Sequence, residues 1–173
     1  DKAMIKIKDF IEKGFSISWT LLEMGFNGSQ KFRKQLEGQD IINYASTKIE
    51  EGDESVDVVL LASSHIVNTE EINELLIKLS KSEKVDCDIE YRKWRVIYVL
   101  KHLPNIHDDY IQGLIELGDI WASLDFPDDS PHVFQGKNNS ITPNEYYTQE
   151  NYIRLLESHR EWLEKEITDL KGK

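Results

Sequence analysis

The sequence predicts an all-α protein: an irregular array of about seven or eight helices in a single domain spanning residues 1–173. Three observations predict it. Apolar residues recur at helical spacing in one window after another. Capping residues stand ahead of these windows and Gly or Pro behind them. Only one short stretch, Val56 to Ala62, has the β-branched make-up of a strand, and no second run exists to pair with it. A chain of 173 residues has the size of one domain and buries roughly two-thirds of the surface its unfolded form exposes.

Taken in order, Ala3, Ile7, Phe10 and Ile11 share one face of a first helix, and Gly14 follows where a left-handed cap is wanted. Ser18 caps a short second helix from Trp19 to Met24, ended by Gly25, and Asn27-Gly28-Ser29 reads as a turn. Ile41, Ile42, Ala45 and Ile49 give a third helix from Gln39 to Glu51, stopped by Gly52-Asp53; acids at that end oppose the helix dipole. Val56 to Ala62 is read as helix, because a lone strand leaves its backbone groups unsatisfied. Asn68, three residues before Glu71, opens a helix with Ile72, Leu75, Leu76 and Leu79 inward.

From Asp88 to Leu103 apolar residues cover nearly the whole circumference, which marks a central helix, and Pro104 terminates it. The next helix, about Asp108 to Leu124, turns Ile111, Leu114, Ile115, Gly118, Trp121 and Leu124 to the core. Residues 125–142 then form a long irregular loop rich in Asp, Pro and Gly, the kind of segment that often carries function. Thr142-Pro143-Asn144-Glu145 starts the last helix, which runs to about Leu170 with Tyr152, Leu155, His159, Trp162, Leu163 and Ile167 on one face. The alternative architecture is a HEAT-like stack of helix pairs, but the residues show no fixed-period repeat.

Asp and Glu number 32 against 21 Lys and Arg, so the net charge is −11. Such a field repels nucleic acid and anionic membrane surfaces and favours a basic protein partner. Cys87 is the single cysteine, no internal disulfide can form, and a cytoplasmic location is expected. The first residues, Asp1-Lys2-Ala3-Met4, show no signal-peptide hydrophobic region and read as the start of a trimmed chain.

Asp125, Asp128, Asp129 and His132 fall within eight residues of the long loop, a set able to hold a hard divalent cation. The spacing matches no calcium loop, and Asp beside Pro is ordinary turn chemistry, so no metal or other cofactor is assigned. His102 and His107 flank a Pro break and do not share a helical face, while Asp108 and Asp109 sit where a helix start wants acids. His65 and His159 stand alone, as boundary residues do. Cys87 lies between two Asp residues that disfavour a thiolate, and Ser63-Ser64-His65 lacks a nucleophile elbow. Phe126, Phe134, Tyr146 and Tyr147 could form an aromatic patch rimmed by acids, the composition of a protein-binding surface.

Ser18-Trp19-Thr20-Leu21 with Gln39 to Ala45, the run Val58 to Ala62, and Trp121 to His132 leading into the final helix together resemble the bacterial Domain of Unknown Function 2247 family. The resemblance covers most of the chain and implies a small bacterial cytoplasmic protein, with no catalytic residue to carry over. Acidic proteins of this kind are suspected immunity proteins to secreted toxins. Two functions are therefore expected. The first is an acidic protein-binding module that masks a basic toxin, steered by Asp108, Asp109, Asp125, Asp128 and Asp129 and anchored by Phe126, Phe134, Tyr146 or Tyr147. The alternative is a metal-assisted hydrolase built on the Asp125 to His132 loop with His102 or His107.

Overall fold

The computed structural model describes residues 4–173 and contains, among them, nine α-helices and no strand. The helices are α1 (Ile7–Glu12), α2 (Trp19–Asn27), α3 (Gly38–Glu50), α4 (Val56–Ala62), α5 (Thr69–Ser82), α6 (Cys87–His102), α7 (Tyr110–Ala122), α8 (Pro143–Tyr146) and α9 (Gln149–Leu170). Every one of them contributes to a single cluster of buried apolar side chains.

Helix α6 is the axis of the array, because four consecutive residues each reach a different neighbour. Arg92 bonds Glu166 and Asp169 of α9 at 2.8 and 2.6 Å. Trp94 donates its indole N–H to the Leu21 carbonyl of α2 at 2.9 Å, with Phe10 and Phe32 packed on its ring. Arg95 reaches Asp129 of the long loop through two hydrogen bonds. Between them, the fully buried Lys93 donates to the carbonyls of Ser16 (3.0 Å) and Lys173 (2.7 Å) and to Glu90 (3.1 Å). An ammonium has three protons to give, and all three are used.

On one side of α6, α2 packs against α5, and α3, α4 and α5 pack on one another; on the other, α9 packs against both α6 and α7. The α1–α6 and α2–α5 contacts skip intervening helices, which departs from the neighbour-to-neighbour stacking of a repeat solenoid. One cap is supplied across the fold: the Glu83 carboxylate, at the end of α5, accepts the Trp19 and Thr20 N–H groups at 2.9 and 3.1 Å. It supplements Ser18, whose hydroxyl accepts from Leu21.

Several expectations are corrected. Ala3 lies outside the described residues, Ile11 faces solvent, and Ile5 takes the inward place ahead of α1. Gly25 does not end α2; it lies inside the helix, and glycine is needed there because a Cβ would fall 2.3 Å from the Trp94 ring. Gly28, at φ +69°, makes the stop instead. Helix α6 does end ahead of Pro104, at His102, and a 3-10 turn, Leu103–Asn105, follows it, since Pro fits the first turn of a helix. Ile111 and Ile115 of α7 face solvent while Leu117 and Ile120 turn inward, because α7 packs on α9 along a stripe rotated from the one expected. The last helix is two: Tyr147 leaves helical geometry at ψ 69°, and Thr148 caps α9 afresh by accepting from Asn151.

Two outcomes test this packing. Lys93→Met leaves Glu90 buried without its cation and lowers unfolding free energy by about 3–5 kcal/mol in urea titration. Gly25→Ala drives a methyl into Trp94 and costs about 1–3 kcal/mol by the same measurement.

Candidate functional site

The loop of residues 125–142 is ordered by hydrogen bonds made within it. Asn139 accepts from the Gly136 and Ile141 amides and donates to the carbonyls of Phe134 and Lys137, closing the loop around one side chain. Tyr91 donates to the Leu124 carbonyl at the loop's entrance, and Arg95 clamps Asp129 beside it. The Arg95 guanidinium holds the Asp129 carboxyl below its ordinary value. Asp125, Phe126 and Asn138 have φ values of 59°, 49° and 60°, a conformation non-glycine residues avoid. Consecutive residues held that way require surroundings that over-determine them, a feature concentrated at functional sites.

The structure divides the residues assigned to binding. Asp108 and Asp109 lie at the start of α7 and Asp125 to Asp129 beyond its end, so about 20 Å of helix separates the two groups. Asp109 caps α7 by accepting from Gln112 at 3.0 Å, and Asp108 is exposed. Asp125 and Asp128 are exposed, and Asp129 is engaged by Arg95. Phe126 is exposed and 5.4 Å from the half-buried Phe134, but Lys137 covers both rings at 4.5 and 5.4 Å. Tyr147 is half-buried.

Tyr146 and His132 are corrections to the exposed patch: both are buried. The short α8 turns the Tyr146 ring inward, where its hydroxyl donates to the Val133 carbonyl at 2.7 Å and lies 3.3 Å from His132 Nε2. That hydroxyl has spent its proton, so His132 Nε2 carries the hydrogen in this pair. His132 Nδ1 is left buried without a partner. His132 also meets Phe134 edge-on and stands 5.7 Å from the His159 ring.

His159 is fully buried, a deeper position than the boundary expected of a lone histidine. Trp121 donates to its Nε2 at 2.7 Å, and its Nδ1 gives a proton to the Leu155 carbonyl at 2.6 Å. Burial presses both imidazoles below the ordinary histidine value, His132 to about 3 with a smaller push from His159.

These placements disperse the set expected to hold a cation: His132 points inward, Asp129 is spent on Arg95, and Asp125 and Asp128 face solvent. No group of three or more His, Cys, Asp or Glu side chains among the described residues is placed to bind a metal ion. His102 bonds the Tyr98 carbonyl and stacks on that ring, while His107 Nδ1 accepts the Asp109 amide, so neither approaches the loop. Ser63 and Ser64 donate to carbonyls of α4, and His65 accepts the Val67 amide. A cavity of about 220 Å³ remains among Phe126, Pro127, Asp128, His132, Phe134 and Lys137.

A larger groove, about 660 Å³, runs between the segment around α1 and helix α3. Its lining mixes Ile5, Phe15 and Ile17 with Asn43, Tyr44 and Thr47. Burial, with Glu51, Glu83 and Asp53 nearby, raises Tyr44 to about 12. Sequence reasoning missed this groove, because its floor comes from residues that read as ordinary core positions.

Among the described residues no helix is long and apolar enough to cross a membrane. A family model described as an uncharacterized protein conserved in bacteria (DUF2247) matches residues 7–167 of the 173. No curated protein and no solved structure matches the chain.

The two histidines predict a pH response. Their folded values lie below the unfolded one, so the unfolded chain takes up protons first as pH falls. The stability present above pH 6.5 is therefore lost on acidification from about 6.5 toward the folded value, which is about 3 for His132. For His132 the loss is about 1.4 kcal/mol per pH unit, and His159 adds to it in the same direction. In urea titrations between pH 6 and 4, His132→Gln shows a shallower decline than wild type by about that slope; equal slopes refute the assignment.

Proposed function

The chain belongs to the bacterial Domain of Unknown Function 2247 family, and we propose that it is an acidic protein-binding module that captures a basic protein partner. The most concrete form of that partner is a secreted bacterial toxin whose cleft the module masks, which makes the protein an immunity protein. One observation carries the reading: a net charge of −11 on a scaffold whose central-helix cations are all engaged by its own carboxylates. Lys93 and Arg95 are buried, Arg92 is held by two carboxylates of α9, and Lys101 by Asp9 at 3.0 Å.

Among the described residues, the carboxylates of Asp108, Asp125 and Asp128 take no part in these hydrogen bonds or ion pairs and face solvent. Unpaired surface charge raises the encounter rate with an oppositely charged partner far more than it raises final affinity. The strained turn at Asp125 and Phe126 presents an exposed aromatic among these acids, supporting the loop as part of the contact. A binding surface of this kind needs no convergent catalytic set.

Co-expression with the product of the adjacent gene in a bacterial toxicity assay tests the proposal. Expected are rescue of growth and a co-purifying complex. The association rate of that complex should fall by about tenfold or more as salt rises from about 20 to about 500 mM. Absence of both rescue and complex overturns it.

A further inference from the structure

The negative charge is distributed unevenly along the chain. From Glu50 to Glu74 the sequence holds eight Asp and Glu residues and no Lys or Arg. Two of the eight are neutralised from outside, Glu51 by Lys48 at 3.2 Å and Asp57 by Lys78 at 3.3 Å. Glu50 at the end of α3, Glu54 before α4, and Glu70 and Glu74 on α5 are exposed and make no ion pair among the described residues. Helices α3 and α5, which carry three of these four acids, both pack on α4, and Glu54 stands just before it in the chain.

Helix α4 is apolar where those acids frame it. Val58 and Leu61 enter the core, while Val56, Val59 and Leu60, at spacing i, i+3 and i+4, form an outward stripe with Val56 73% exposed. Ile66 and the 78% exposed Val67 follow in the turn to α5. These five are among fourteen exposed large hydrophobic residues of the described chain, gathered into twelve positions. Solvent-facing valine lowers helix propensity and gains nothing from burial, so local folding gives no reason for it here.

The turn beyond α4 is also tied by its own hydrogen bonds. Ser63 and Ser64 bond back to the Val59 and Leu60 carbonyls, and His65 accepts the Val67 amide. A surface already held in shape loses little entropy when covered.

Building on the acidic binding-module reading, we propose that the outward face of α4 with Ile66 and Val67 is the docking surface, and that it takes a cationic, amphipathic segment of the partner protein. An apolar centre ringed by charge is the anatomy of a protein interface, and the sign of the ring selects the occupant. A second copy of this chain would bring the same acids into opposition, and anionic lipid or nucleic acid would be repelled. The loop face is the weaker candidate, because Arg95 occupies Asp129 and Lys137 lies over the Phe126 and Phe134 rings.

The test uses a synthetic eighteen-residue helix with Lys and Arg on one face and Leu on the other, an isomer of identical composition with scrambled periodicity, and poly-lysine. Binding is measured by fluorescence anisotropy for labelled ligands at low and high salt. The proteins compared are wild type, Val59→Ser/Leu60→Ser, Glu54→Gln/Glu70→Gln/Glu74→Gln and Asp125→Asn/Phe126→Ser. All replaced side chains are exposed, and circular dichroism with thermal melting confirms that each variant folds.

The amphipathic helix should bind wild type at least about tenfold more tightly than its isomer, a difference of about 1.4 kcal/mol. The Val59/Leu60 variant should lose that preference, the Glu variant should lose most of the salt dependence, and the loop variant should keep the preference for helix over isomer, whatever it loses in overall affinity. Equal affinity for helix and isomer, or loss of binding only in the loop variant, overturns the α4 surface while leaving the binding-module reading standing. Self-association of wild type that Val59→Ser/Leu60→Ser abolishes assigns the face to a second copy and overturns it too. No binding of any of the three cationic ligands at low salt removes both.

Discussion

The Lys93 ammonium, buried on the central helix, is the constraint on which the rest of the structure depends. A charge out of water is tolerable only when each of its protons has an acceptor and a counter-charge stands near. Lys93 finds its acceptors at Ser16, before α2, at Lys173, after α9, and at Glu90 one turn back. The second Glu90 oxygen lies 2.9 Å from the same ammonium but out of line for a hydrogen bond. Burial raises the Glu90 carboxyl above its ordinary value, opposed by Lys93. The pair thus draws segments from both ends of the described chain onto one helix, and the Gly172 amide completes the closure by bonding the Gly14 carbonyl.

Once α6 is held, its neighbours follow from the 100° step between successive residues. Trp94 fixes α2, Arg92 fixes α9, and Arg95 fixes the long loop through Asp129. Two surfaces result, with different character. The loop face is bound to α6, and its charge is partly cancelled. The face of α3, α4 and α5 reaches α6 through α2 and is left free to carry unpaired acids around exposed valines. A rigid array offers such a face without rearrangement, as capture of a folded partner requires.

Much of the fold was legible because its signals are local. Ser18, Asn68, Asp109 and Thr142 cap helices through side-chain oxygens within three residues, and that reach is written in the sequence. Val56 to Ala62 could be read as helix from the lack of a partner strand. The candidate site was much less legible. Asp125 and Phe126 do face outward, but His132 and Tyr146 look polar or amphipathic and are buried, because the loop folds them toward His159 and Val133. The acid run from Glu50 to Glu74 was plainly visible; its pairing with an exposed valine stripe was not, since valine in a helix ordinarily signals core.

What the sequence by itself determined is therefore the helices, most of their ends, and the sign of the surrounding field, all set by neighbours a few residues away or by simple counting. The tertiary structure alone decided which stripe of α7 is buried, why Gly25 stays inside α2, where Glu83 caps a distant helix, and how charged Lys93 becomes interior. Each of those outcomes rests on a contact between residues far apart in the chain. Such contacts are settled by packing and by the need to satisfy every buried polar group, and no local pattern encodes either.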